Sequence, residues 1–299
     1  MSLNVAPIQQ RRLRRFVDRD AEMRVFRAML DQTPADQPVT VVWGDGGMGK
    51  SSLLDRMEEE CSLRGMAQAK VIWSETRNHD YLGVMRKIKN DLGPDRFSGF
   101  NDLVNFFTVP QYKLELVVSG TLSVAQNLKN QGTIGSIAGV VVQDANFTVP
   151  RVDLGIPDTE RMNRLTDVFL QELNAAAAAR ETIIFLDAFE KASTITQSWV
   201  SNELVGALFD GRLSRLRVVL CGRLRPNWEE DRWLMANEMQ LSPLGRDHVI
   251  EYIDRSELHI PREAVTYVVD FLLATTNGVP SSLANAVNMV AKQWQLRAA

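Results

Sequence analysis

The apolar positions of this chain switch repeatedly between two periods. Within residues 19–30, Met23, Phe26, Met29 and Leu30 recur at helical spacing, with Asp18 placed to cap the helix. "VTVVW" at 39–43 is a short β-branched run between Pro38 and Gly44, the pattern of a parallel strand covered on both faces. Lys50 to Leu63 carries Leu53, Leu54, Met57 and Cys61 on one stripe and stops at Gly65. "KVIWSE" at 70–75 predicts a second strand, and Tyr81, Met85, Ile88 and Leu92 the inward face of the next helix.

Further helices are expected near 100–107, over 158–180 and around 198–209, and further strands over 182–187, over 216–223 and, together with its exit turn, over 238–244. Strand and helix alternate, which predicts an α/β fold with a mainly parallel central sheet between layers of helices. The region near 108–158 breaks the alternation. Its β-like pieces "KLELVV" and "GVVVQD" and its glycines Gly120, Gly132, Gly135 and Gly139 read as an insertion, either a surface loop or a moving element. After residue 243 the pattern becomes entirely helical. Val249, Ile250 and Ile253 mark one helix; Val265, Val268, Val269 and Leu272 a second, closing at Asn277-Gly278; Leu283, Val287, Val290 and Trp294 a third, opened by Pro280. The expected division is a nucleotide-binding domain over 1–243 and a helical lid over 244–299.

Composition narrows the picture. At 299 residues and 45% hydrophobic, the chain can bury a sizeable core. A formal net charge of −3 supplies no broad basic field and argues against nucleic acid as a partner, although "RRLRR" at 11–15 is a local basic run. Cys61 and Cys221 lie far apart in apolar stretches and read as reduced core thiols of a cytoplasmic protein. His79, His248 and His259 lack metal-ligand spacing, so no structural zinc is expected. The weakly polar run at 133–142 is too short to span a bilayer.

The candidate chemistry begins at Gly44-Asp45-Gly46-Gly47-Met48-Gly49-Lys50-Ser51, which fits the phosphate-loop template between a strand and an amphipathic helix. Glycines let backbone N–H groups curl around a phosphate, and the following helix adds its positive end. Lys50 supplies a point charge to the β- and γ-phosphates, Ser51 a hydroxyl for Mg2+, and Ser52 an auxiliary contact. Asp187, at the tip of "TIIFLD", suits the second, partly water-mediated anchor of the metal. Glu190 either polarises the attacking water or caps the next helix. Arg223 leaves its strand on the edge where ligands sit and is placed to sense the γ-phosphate, with Arg225 as its rival.

"FVDRDAEM" at 16–23, "GDGGMGKSS", "FLDAFE" at 185–190, "CGR" at 221–223 and "GVP" at 278–280 occur in an order that resembles the STAND class of P-loop ATPases, which includes NACHT and NB-ARC proteins. The resemblance implies that Phe16, Val17 and Arg19 lie against adenine, with Asp18 standing where the class has glycine and Asp20 where it has glutamate. It places a sensor arginine at Arg223 and a base-packing proline at Pro280, and Ala188 gives the second acidic strand a NACHT-like look. It implies the sheet order 5-1-4-3-2, Mg2+ with ATP or ADP as ligand, and a switch in which ADP holds the lid closed and ATP opens it for oligomerisation or contact with other domains. GTP remains open as an alternative nucleotide. Relatives of this kind continue into a winged helix and sensor repeats, so the chain is expected to be either an excised piece or a solitary ATPase. Two other readings compete: an AAA+-like initiator or loader acting on nucleic acid, which "RRLRR" favours, and a small-molecule kinase, which would need an arginine-rich lid.

Overall fold

The computed structural model describes residues 16–32, 35–74, 80–108, 157–256 and 260–298. The basic run at 11–15, His79, His259 and both β-like pieces of the insertion lie outside the described residues. The chain divides into two compact units: residues 1–99 with 166–299, and residues 100–165. The larger unit holds the sheet and every candidate site residue.

In chain order the elements are α1 (Asp20–Asp31), β1 (Val39–Trp43), α2 (Lys50–Leu63), β2 (Ala67–Ile72), α3 (Tyr81–Leu92), α4 (Ser98–Thr108), α5 (Asp158–Ala179), β3 (Thr182–Asp187), α6 (Thr194–Trp199), a π turn (Val200–Leu204), α7 (Val205–Phe209), β4 (Leu216–Gly222), α8 (Glu230–Leu234), β5 (Ala236–Gln240), α9 (Arg246–Arg255), α10 (Arg262–Thr276) and α11 (Pro280–Ala298). The strands form one sheet of order β2-β3-β4-β1-β5, all pairs parallel. Read from the opposite edge this is 5-1-4-3-2, the order implied by the family resemblance.

Burial explains which strands read clearly. β3 and β4 are buried along their whole length, as unbroken apolar runs in a covered parallel sheet should be. The edge strand β2 is mixed, and it begins three residues before the expected start at Lys70. Its polar residues face α2: Gln68 donates to Ser62 Oγ at 2.8 Å, and Lys70 reaches Asp55 at 3.4 Å and Glu58. Polar side chains satisfied by tertiary contact hide the first half of this strand from a hydrophobic pattern. β5 likewise lies at Ala236–Gln240 instead of 238–244, because its partner β1 ends opposite Gln240 and enters the glycine loop.

The helix expected around 198–209 starts earlier, where Ser193 caps α6 by accepting the Thr196 N–H at 3.2 Å, and it is interrupted by the π turn. In α3, Val84 joins Met85 and Ile88 in the core, while Tyr81 and Leu92 are half-buried. Arg217 on β4 is buried and donates to Met29 O at 3.1 Å and Leu30 O at 3.3 Å, satisfying carbonyls at the end of α1 that have no partner within the helix.

The helices after β5 carry an apolar core of their own, formed by Val249, Tyr252, Ile253, Val269, Leu272 and Leu283 together with Val17 from the other end of the chain. Burial pushes the Cys61 thiol up to about 12 and the Cys221 thiol well above its ordinary value, so both stay protonated in the folded protein. Among the described residues no helix is long and apolar enough to cross a membrane.

Candidate functional site

β1 ends at Trp43, and the chain turns through six residues before α2 begins at Lys50. Two of the turn's glycines answer a specific steric demand. A Cβ on Gly44 would stand 2.9 Å from Leu241 O, and one on Gly47, at φ 84°, would stand 2.2 Å from Ser281 Oγ. Gly49, at φ 88°, is the N-cap of α2 and offers no side-chain cap, so the first N–H groups of the helix are left to whatever enters the loop. No acidic residue occupies that first turn. No side chain of the helix itself therefore offsets the positive end of its dipole.

Three predicted residues converge on this turn. Lys50 Nζ donates to Gly44 O at 2.6 Å and to Asp45 O at 2.7 Å, which leaves one of its three N–H bonds for a ligand. Ser51 Oγ donates to Asp187 Oδ2 at 3.2 Å, and Asp187 Oδ1 accepts the Ala188 N–H at 2.8 Å. Ala188 has φ 60°, a left-handed turn that lets the chain leave β3 sharply. Glu190 follows, pairing with Arg223: its Oε1 lies 3.5 Å from Nε, and its Oε2 accepts the Arg223 backbone N–H at 3.1 Å. The Arg223 guanidinium stands 3.7 Å from where a Cβ on Gly46 would lie, next to the loop. Arg225 is occupied elsewhere, paired with Glu238 at 2.9 Å and stacked 4.0 Å over Trp233.

A cavity of about 440 Å³ opens beside the loop. That volume falls within the roughly 300–1,000 Å³ of ordinary small-molecule sites. Residues 47–52 line one side, Phe16, Val17 and Arg19 a second, and Leu244, Tyr252, Pro280, Ser281 and Ala284 a third. Gly44, Asp45, Gly46, Asp187, Glu190 and Arg223 are not among the lining residues. The sequence reasoning missed Leu244, Tyr252, Ser281 and Ala284. Tyr252 lies three residues after Val249 and directly before Ile253, in a helix marked in the sequence only by its aliphatic positions; Ser281 was signalled only by its place beside Pro280. The α11 end touches the loop directly, since Ser281 N–H donates to Gly47 O at 3.1 Å.

The strap at 16–19 differs from expectation at Asp18. This residue does not cap α1: the N-cap is Arg19, without a side-chain cap. Asp18 and Arg19 have φ 62° and 76°. A left-handed conformation costs an L-residue roughly 1–2 kcal/mol, and here local pairing offsets it. The Asp18 carboxylate lies 3.2 Å from Arg19 Nη1 and 3.5 Å from His248 Nε2 on α9, and Arg255 on the same face of α9 donates to Phe16 O. Glycine would adopt this positive φ without that cost.

No curated protein matches the chain. Among solved structures, it is similar to Cdc6p from Pyrobaculum aerophilum, at 12% identity over 100% of this chain and 65% of that one, with a TM-score of 0.50. It is also similar to Drosophila ORC solved bound to DNA, at 12% identity over 91% and 61% of the two chains, TM-score 0.50. A Signal Transduction ATPase with Numerous Domains (STAND) protein from Pyrococcus horikoshii, with a tetratricopeptide repeat sensor, matches at 15% identity over 89% of this chain but 28% of its own, TM-score 0.45. The chain thus spans between about a quarter and two thirds of these proteins, and at such identities the likeness is one of fold. The AAA ATPase domain family matches residues 15–220. With the phosphate loop and the Asp187 strand both inside that span, the chain belongs to the AAA ATPase domain family.

Proposed function

We propose that this chain is the regulatory nucleotide switch of a STAND-type ATPase: it holds ADP under the helical lid of residues 244–299 at rest, and exchange for ATP opens it. The observation that carries the reading is the hydrogen bond from Ser281 N–H to Gly47 O, because it seats the lid on the phosphate loop itself. In this reading phosphates lie against the N–H groups of residues 47–52, the remaining Lys50 N–H bond meets their charge, and the base lies between Phe16, Val17 and Pro280.

Ser51 Oγ and Asp187 Oδ2, 3.2 Å apart at the loop's base, are hard oxygen donors suited to Mg2+, directly or through water. The ion would neutralise phosphate charge there. Glu190 is assigned to orient the attacking water and Arg223 to meet charge on the transferred group. Both are engaged with each other, and a pair that must open before either acts fits slow hydrolysis.

A second reading, an AAA+-like ATPase acting on nucleic acid, draws on the fold likeness to Cdc6p and to ORC, the latter solved bound to DNA. Extraction of nucleotide from the purified protein separates the two. Co-purified ADP supports the switch. A nucleotide-free protein that binds DNA with steep salt dependence would replace it with the second reading.

A further inference from the structure

Arg19 enters the molecule in an unusual way. Two successive left-handed residues turn its side chain inward, where it is 5% exposed. One terminal nitrogen, Nη2, donates to Ser242 O at 2.7 Å and to Met48 O at 3.3 Å. The other, Nη1, faces the carboxylates of Asp18 at 3.2 Å and Glu22 at 3.5 Å. Both ends of the guanidinium fork are thus engaged by protein, and a single side chain ties the segment leaving β5 to the phosphate loop.

The tether on the loop falls on the peptide that joins Met48 to Gly49. In a trans peptide the C=O and N–H point in opposite directions, so holding the Met48 oxygen also sets the direction of the Gly49 N–H. Gly49 is the N-cap of α2 and part of the cavity wall. A glycine there has easy access to other backbone conformations, and a flipped peptide would turn a carbonyl oxygen toward an anion in place of an N–H donor.

We infer that Arg19 is a positioning residue for the polyphosphate, acting through the Met48 carbonyl, and not the group that reads the base. The inference rests on the nucleotide-binding reading of the site but departs from the adenine contact that the family resemblance implies for this residue. The carboxylates of Asp18 and Glu22 hold the fork in register. Lysine could not replace it, because a compact ammonium cannot span two carbonyls and two carboxylates at once.

The test is displacement of a fluorescent ADP analogue from the full chain by ADP, pyrophosphate and adenosine, with thermal melting of the nucleotide-free protein followed in parallel. In Arg19→Met, ADP and pyrophosphate should weaken by the same factor, about tenfold, the scale of one charge-assisted hydrogen bond, while adenosine competes as in the wild type. Arg19→Lys should shift the same pair of ligands in the same direction by a smaller factor, and it decides the matter if the methionine variant fails to fold. A loss for adenosine, alone or alongside the phosphates, or no loss for pyrophosphate, overturns the inference. Failure of the wild-type chain to take up the analogue would instead sink the nucleotide-binding reading itself.

Discussion

On the side of the glycine loop the cavity is shaped by backbone geometry. Gly47 and Gly49 shape the turn, the start of α2 is uncapped, and Lys50 and Ser51 occupy consecutive positions whose partners are two loop carbonyls and Asp187. Elsewhere it is made of side chains from distant parts of the sequence: Phe16 and Val17 from the strap, Leu244 and Tyr252 from the chain after β5, Pro280 and Ser281 from α11. Backbone geometry of the first kind is bound to local sequence, since glycine adopts those angles most readily and a side chain at Gly47 would meet Ser281. The second kind depends on how helices pack, and the same apolar residues would serve equally well as core.

The difference can be broken from either side. Lys50→Ala should have the largest effect on binding, weakening ADP by about a hundredfold in calorimetric titration, because a charge-assisted contact to phosphate is removed. An affinity within threefold of the wild type would mean that the loop does not hold phosphate. Glu190→Gln should slow phosphate release by about a hundredfold, the low end of what a positioned acid or base contributes, while ATP binds as before. Unchanged turnover would return Glu190 to the role of a structural partner of Arg223.

Gly47→Ala sharpens the comparison where the two sides meet. A methyl group there would collide with Ser281 Oγ and lie close to Val279. The lid should be held off the loop, and release of a fluorescent ADP analogue should quicken by about tenfold if one backbone hydrogen bond and its surrounding contacts are lost. Release at the wild-type rate would show that the Ser281 contact does not retain nucleotide.

The sequence was most readable where one cause dominates. The covered strands β3 and β4, the span of α2, and the Asn277-Gly278 stop of α10, with φ 50° and 70°, all follow from local rules. It was least readable where polar residues are satisfied across the fold. Gln68 and Lys70 disguise β2 because α2 supplies their partners, and Asp18 looks like a helix cap until its positive φ and its pairing with Arg19 and His248 are known. Tyr252 illustrates the same limit at the site, for the apolar positions Val249 and Ile253 mark its helix without revealing that the helix borders a cavity. The partners of Arg225, Glu238 and Trp233, likewise reach it by an approach that no spacing announces.

The central claim is that Lys50, Ser51 and Asp187 form one site for a metal-bound nucleotide, and the affinity for ATP measured with and without Mg2+ tests it most directly. The account predicts that Mg2+ tightens binding to the wild-type chain and that Asp187→Ala abolishes this gain while retaining metal-free affinity. An Asp187→Ala variant that still gains the full Mg2+ effect would contradict it.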